Sequence, residues 1–395
     1  MAQKQQAELT LTDTDVHEQM LARMQTYSGL AEINGYSCTR DMVLDVILQA
    51  LVTQNTIESV CADLNGTVCG ETVRQYLNEQ LTADDLGELE RLANQALVVD
   101  LPRRLWRRPL EIAFDCHDEP FYGHSPELLA YTCGGPAKQG TTRFFRVITA
   151  YVSWHGVRVT LALLFVFPEN ELAELVAALL RRLRILGLSI QRLYFDKGFC
   201  TIPILRYVAA TGWAAIFACP IRGKHGGTRS LCHGRKGYRT THTFKSQPHG
   251  TFTAPVAITC TYTTHKRRRR GTRRAVWLMY VVLNAPTLSP KRVRRLYKRR
   301  FGIETSYRCM RQVRAWTTSR NAALRFWLLG WSFALLNLWV ELQLRFTQIK
   351  RPHGPRKLDV RQLPLRRICN FIRRAIERRY DPCICIVATV PPLGV

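Results

Sequence analysis

Leu296-Tyr297-Lys298-Arg299-Arg300-Phe301-Gly302-Ile303-Glu304, followed by Arg308 and Arg311, is the stretch on which the reading of this chain turns. Taken as an α-helix, it points Tyr297, Arg300, Glu304 and Arg311 at roughly 0°, 300°, 340° and 320°, within about a 60° sector. One carboxylate then shares a face with two guanidiniums and a phenol. That grouping is odd for a solvated face and sensible for a face that grips a metal ion and phosphates together.

Working outward, two more carboxylates stand in strand-like settings far upstream. Asp115 lies in Ile112-Ala113-Phe114-Asp115-Cys116-His117-Asp118-Glu119, and Asp196 in Leu193-Tyr194-Phe195-Asp196-Lys197-Gly198-Phe199. A carboxylate leaving a buried strand is costly unless it has a partner. Either aspartate alone reads equally as a turn or cap residue. Two on neighbouring strands, joined by a helical glutamate, form a hard-oxygen site for Mg²⁺ or Mn²⁺. Two such ions can activate a water or hydroxyl and stabilise the leaving oxygen in phosphodiester chemistry.

The charge balance names the partner. The 395 residues carry 57 Lys+Arg against 30 Asp+Glu, net +27. Residues 1–100 hold 5 basic and 16 acidic residues, net −11, so residues 101–395 hold 52 and 14, net +38. Basic clusters at Lys266–Arg270, Arg292–Arg300 and Arg366–Arg379 are interleaved with apolar residues, as structured binding faces are. A polyanion is the natural partner of such faces, with salt-sensitive affinity; a solubilising surface or a ribosome-type tail is the alternative. The 13 cysteines form no disulfide framework and no zinc-spaced pairs, so they read as reduced thiols of a cytoplasmic protein. Met1–Thr10 is polar and carries no secretory segment. The most apolar run, Phe326–Val340, is too short to span a bilayer and contains Ser332 and Asn337; it reads as a buried helix.

The chain is long enough for two or three domains. Residues 1–100 read as a helical domain, within which 56–81 resembles a helix-turn-helix around Asn65-Gly66. Such a unit reads DNA through its second helix, or is a plain bundle or dimerisation module. The sequence leaves both open, and the acidic balance counts against DNA reading. After an Arg- and Pro-containing linker, strands are expected at Leu110–Cys116, Phe144–Trp154, Val157–Phe167, Ser189–Phe195 and Trp213–Cys219. Helices are expected at Glu169–Leu186 and Thr201–Thr211. That order predicts an α/β fold, a mixed sheet flanked by helices. Residues 101–219 and 287–341 form this core. Residues 220–286 read as a β-rich basic insertion with a tip at Lys266–Arg274, and 342–395 as a basic C-terminal region. Trp316, Phe326, Trp327, Trp331, Phe333 and Trp339 space like a helix packed on the core sheet.

The order Asp115, Asp196, Glu304, with a β insertion before the third acid, resembles the ribonuclease-H-like DDE transposases of prokaryotic insertion sequences. Tyr297-x2-Arg300-x3-Glu304-x6-Arg311 matches their Tyr-Arg-Glu-Lys signature at three of four positions. Asp115–Gly123, Gly140–Phe145 and Asp196–Phe199 are similar to the group first described from haloarchaeal insertion sequences. The resemblance covers about residues 110–340. It departs at Arg311, where the family has Lys; a planar guanidinium is not a compact ammonium, and Arg308 lies on the same helical face. The resemblance implies that Asp115, Asp196 and Glu304 ligate Mg²⁺, with Mn²⁺ as substitute. It implies that Tyr297, Arg300, Arg308 and Arg311 contact DNA phosphates, and that a homodimer cuts inverted-repeat ends and joins them to target DNA. A transposase-derived DNA-binding protein without activity, with Arg311 as its foothold, is the alternative. Several members of the family hold a flipped base on an aromatic ring of the insertion; Trp277, the insertion's only Trp, reads first as a strand-packing residue.

Overall fold

The computed structural model of the chain describes residues 10–33, 38–154, 157–224, 226–264, 273–301, 307–349 and 357–384. Glu304 and residues 266–272 of the basic tip lie outside the described residues. Helices α1 (Asp13–Tyr27), α2 (Arg40–Thr53), α3 (Ile57–Asp63), α4 (Gly70–Gln80), α5 (Leu86–Val98) and α6 (Arg103–Trp106) come first. Strand β1 (Leu110–Phe121) follows, then α7 (Pro126–Leu129), β2 (Cys133–Lys138), β3 (Thr141–Trp154), β4 (Val157–Val166) and α8 (Leu172–Ile185). Next are β5 (Ile190–Phe195), α9 (Ile202–Ala210), β6 (Ala215–Cys219), β7 (Tyr238–Ser246), β8 (Gly250–Thr264), β9 (Arg273–Leu283) and α10 (Pro290–Tyr297). Helix α11 (Ala322–Phe346) and helix α12 (Leu365–Tyr380) close the sequence of main elements. Two compact units result, one from residues 1–100, 123–131 and 307–395, the other from 101–122 and 132–306.

The second unit is built on one mixed sheet in the order β2-β3-β1-β5-β6-β9-β8-β7, with β4 also paired to β3. Strands β1, β5 and β6 run parallel; the pairings outward from them are antiparallel. Their registers stack Phe114, Phe195 and Phe217 across three strands, ring centroids 4.6 and 4.4 Å apart. Helix α8 buries Leu175, Val176, Leu179, Leu180 and Leu183 and packs on β4; each such side chain contributes about 1.5–3 kcal/mol on burial. The expected insertion does contain strands, but they do not fold apart. β9 pairs with β6 (Ala218↔Tyr280) and carries β8 and β7 outward, so the insertion widens the same sheet. Trp277 sits in β9 opposite Cys260, half-buried.

The first unit is helical. α11 is apolar on every side, and 89% of its most apolar window is buried inside the protein. Its polar residues are answered internally: Asn337 Nδ2 donates to Leu97 O at 2.8 Å and Trp327 Nε1 to Ser28 O at 2.8 Å. The buried helix was legible, but its partner, α5 in the helical unit, was not. Trp316 is a second correction. It precedes the Asn321 cap of α11, stands outside the helix and is 54% exposed, with the Arg314 guanidinium 4.6 Å from its ring centroid.

Basic α12 explains where part of the acidic N-terminus goes. Its apolar face (Ile368, Ile372, Ile376) is buried, and the helix packs on α1 and α2. Arg378 donates from both terminal nitrogens to Asp13, each at 2.8 Å. That hydrogen-bonded pair lowers the Asp13 carboxyl from 3.8 to about 2. A depressed carboxyl stabilises the fold above its ordinary value and loses that contribution as pH falls through about 2. Asp13→Asn should therefore lower the melting temperature near neutral pH, and the gap to wild type should close towards pH 2 in a calorimetric pH series.

The 56–81 segment holds two helices, α3 and α4. Thr56 caps α3 by accepting from Ser59 N at 3.1 Å, and α4 follows the turn. Gly70 admits no side chain, since a Cβ there would lie 2.9 Å from Glu58 Cα. The one arginine of α4, Arg74, pairs with Glu71 and, at 3.5 Å, with Glu58. A second helix whose cation is already neutralised is better suited to packing than to phosphate contact.

Candidate active site

The site grows from the register of β1 on β5. Ala113 pairs with Tyr194 and Phe114 with Phe195, so Asp115 and Asp196 each follow directly on the last matched pair. Strand side chains alternate faces. The stacked phenylalanines take one face, and the two aspartates emerge together on the other. Asp196 also opens a 3₁₀ turn over Lys197–Phe199, where β5 ends. Cys116 N donates to Asp115 Oδ1 at 3.0 Å. Burial raises the neighbouring Cys116 thiol to about 12, which keeps it neutral.

Arg300 lies between the two acids. Its Nη2 is 3.2 Å from Asp115 Oδ2 and its Nη1 is 3.6 Å from Asp196 Oδ1. The arginine is 5% exposed. Its burial opposes the charge, yet the pull of Asp115, Tyr297 and Asp196 more than offsets that and holds the guanidinium above its ordinary pKa. Tyr151 donates its hydroxyl to the Arg300 carbonyl. Tyr297 is 4% exposed and donates to Phe195 O at 3.2 Å, while its ring packs 5.0 Å from Tyr280 and 5.9 Å from the Arg300 guanidinium carbon. Burial raises the Tyr297 phenol well above its usual range.

The single α-helix assumed for the signature stretch is corrected here. α10 ends at Tyr297, and Lys298–Phe301 form a tighter 3₁₀ turn. A 3₁₀ turn repeats every three residues and returns residue 300 to the azimuth of 297. Tyr297 and Arg300 therefore both turn inward to the strand ends rather than out to solvent. Arg308 and Arg311 are exposed and belong to the helical unit.

A second charge cluster on the same face was not anticipated. Glu111, four residues before Asp115, accepts from Arg192 Nη1 at 2.7 Å, Tyr194 hydroxyl at 3.0 Å and Arg299 Nη1 at 2.7 Å. Glu111, Tyr194 and Arg299, with Tyr151, Ser153 and Arg300, line a cavity of about 310 Å³. The signal was in the period of two: residues 111, 113 and 115 share a face, as do 192, 194 and 196.

Helix α10 completes the surface. Ser289 caps it by accepting from Arg292 N, Val293, Leu296 and Tyr297 are buried, and Lys291, Arg292, Arg295 and Lys298 are exposed around an open pocket of about 450 Å³. Cations on one side and apolar anchors on the other suit contact with phosphates.

Among the described residues no three His, Cys, Asp or Glu side chains gather as a metal-ligand set. Asp115 and Asp196 nevertheless fit a divalent ion by donor chemistry. They are hard carboxylate oxygens, fixed by paired strands, and they already converge on a cation.

The mixed sheet flanked by helices is similar in fold to a transposase structure of ribonuclease-H-like type. Residues 162–338 match the family model described as the transposase DDE domain, a stretch that includes Asp196 and begins after Asp115. The chain is also similar to the cryo-EM structure of the piggyBac transposase synaptic complex with hairpin DNA. The TM-score is 0.53 with 10% identity, over 95% of this chain and 82% of that chain. No curated protein matches the sequence.

Proposed function

We propose that this chain is an insertion-sequence DDE transposase that binds terminal inverted repeats and catalyses metal-dependent DNA cleavage and strand transfer. The observation that carries the reading is the convergence of Asp115 and Asp196 on one cation just past the last matched pair of the parallel strands β1 and β5. In this reading Asp115 and Asp196, with Glu304 as third ligand, hold Mg²⁺, or Mn²⁺ in its place. When bound, such ions supply positive charge at the attacking and departing oxygens of a phosphodiester. Asp115 is fixed by its strand and by the Cys116 amide, and Asp196 by its strand end, so the ligands need little rearrangement. The exposed cations of α10, with Arg308 and Arg311, hold duplex DNA through its phosphates. Tyr297 positions the turn that carries Arg300. The protein acts in the cytoplasm, as a homodimer bridging two transposon ends and a target duplex.

The test is cleavage of a labelled duplex carrying the gene's own flanking ends in Mg²⁺, wild type beside Glu304→Ala. Cuts at the element boundary that fall by at least about 10²–10³-fold in the variant support the reading. Specific binding without any cut, in Mg²⁺ or Mn²⁺, would instead favour a transposase-derived DNA-binding protein.

A further inference from the structure

We infer that the Arg300 guanidinium is an exchangeable counter-cation: it neutralises the Asp115–Asp196 pair and must leave their oxygens before divalent metal can bind there. The inference rests on the metal role proposed for the two aspartates.

Three observations carry it. One guanidinium is shared between the two carboxylates, its nearest approaches 3.2 Å to Asp115 and 3.6 Å to Asp196, the second longer than a hydrogen bond. Its Nε, though buried, has no hydrogen-bond partner. The side chain is thus enclosed but incompletely bonded. The attachment of the residue is otherwise secure: Tyr151 holds the Arg300 carbonyl, and the 3₁₀ turn fixes the backbone. Backbone fixed and guanidinium loosely held is the arrangement of a side chain that can change partners in place.

There is also somewhere for it to go. Arg300 lines the cavity of about 310 Å³ with Glu111, Tyr194 and Arg299. Asp196 is 45% exposed on its side chain, whereas Arg300 is 6% exposed, so solvent reaches Asp196 while the guanidinium is enclosed. A metal that took the carboxylate oxygens would leave the guanidinium the cavity that it already lines.

Electrostatics makes the two occupants exclusive. Like charges a few ångströms apart in an enclosed site repel strongly, and a divalent ion doubles the repulsion. A guanidinium that kept its present contacts would repel any ion sharing the same oxygens. Once displaced it is an unpaired cation at the edge of the site, the charge a DNA phosphate seeks. Arg300 is on this account a positioning residue: it keeps two facing carboxylates compatible with folding and then yields them.

The test measures metal affinity without DNA. Mn²⁺ binding to the full-length protein is followed by electron paramagnetic resonance for wild type, Arg300→Gln, Arg300→Lys, Asp115→Asn and Asp196→Asn. Arg300→Gln should bind Mn²⁺ about tenfold tighter than wild type, equal to about 1.4 kcal/mol of relieved competition. Its melting temperature without Mn²⁺ should lie below wild type, with a larger rise on adding the ion. Arg300→Lys keeps the charge but cannot span both carboxylates, and it should bind a few-fold tighter than wild type; it carries the test if the glutamine variant does not fold. Equal or weaker Mn²⁺ binding in the Arg300 variants, with binding lost in both aspartate variants, would overturn the exchange and leave the metal site standing. Mn²⁺ binding unaffected by either aspartate change, or absent from every protein including wild type, would overturn the metal reading itself.

Discussion

Asp196→Asn should leave the protein folded and its affinity for duplex DNA unchanged while lowering metal-dependent strand cleavage by at least about 10²–10³-fold, the cost of removing one preorganised charge at a reacting centre. The argument is geometric. Asn keeps the volume, and the Asp196 side chain makes no capping hydrogen bond to the Lys197–Phe199 turn, so the turn is retained. What is lost is the negative charge facing Arg300 across 3.6 Å. Because the Asp196 side chain is 45% exposed, solvent screens that charge and the stability change should be small. Asp115→Asn should lose cleavage as fully and cost more stability, since Asp115 is 19% exposed on its side chain and makes the closer contact at 3.2 Å. Single-turnover cleavage, filter binding and thermal melting on the same preparations separate these effects. Cleavage within tenfold of wild type in both variants would remove the aspartates from the chemistry.

Asp45→Ala should cost about 3–5 kcal/mol of stability, the range for removing one partner of a buried charged network. Asp45 is fully buried in α2. His17 Nε2 lies 2.6 Å from one of its oxygens, and Arg379 Nη1 and the Tyr380 hydroxyl donate to the other at 3.0 and 2.9 Å. The carboxylate thereby ties α1 and α2 to α12, the two ends of the chain to one another. Arg379 can turn to water, but buried His17 and Tyr380 cannot, and their desolvation dominates the loss. Urea unfolding monitored by circular dichroism measures it. Asp45→Asn, which keeps an acceptor, should recover part of the stability. A loss below about 1 kcal/mol for alanine would mean that the helices are held by apolar packing alone.

The elements that were legible in the sequence are those with a strong local period or a cap. α8 follows its leucines at helical spacing, and α3 and α4 follow Thr56 and the Asn65-Gly66 turn. β6 is a continuous apolar run, as a strand covered on both faces is, and β5 becomes one over Leu193–Phe195. β2, largely exposed, and β7, half-buried to exposed throughout, were missed because their Gly, His, Thr and Lys residues carry little apolar alternation. The β2–β3 turn had a signal in Gln139-Gly140, both at positive φ, a two-residue hairpin of the primed kind. At the site, Asp115 and Asp196 were legible as acids leaving buried strands, and their adjacency follows from the β1–β5 register. The direction of Arg300 was not legible, because a wheel at 100° per residue cannot foresee the 3₁₀ turn at Lys298. The Glu111 cluster was hidden for another reason: Arg192 and Arg299 come from distant stretches of sequence and meet only once β1, β5 and the turn after α10 are assembled.

The measurement that tests the account most directly is strand transfer. Full-length protein is incubated in Mg²⁺ with an end-labelled duplex carrying the element's inverted repeat and a supercoiled target plasmid, and the products are resolved under denaturing conditions. The account predicts label joined covalently to plasmid through the 3′ end of the cut strand, and no joined product with Asp115→Asn or Asp196→Asn. Joining undiminished in both variants, or wild-type protein that binds the ends yet neither cuts nor joins them in Mg²⁺ or Mn²⁺, would contradict it.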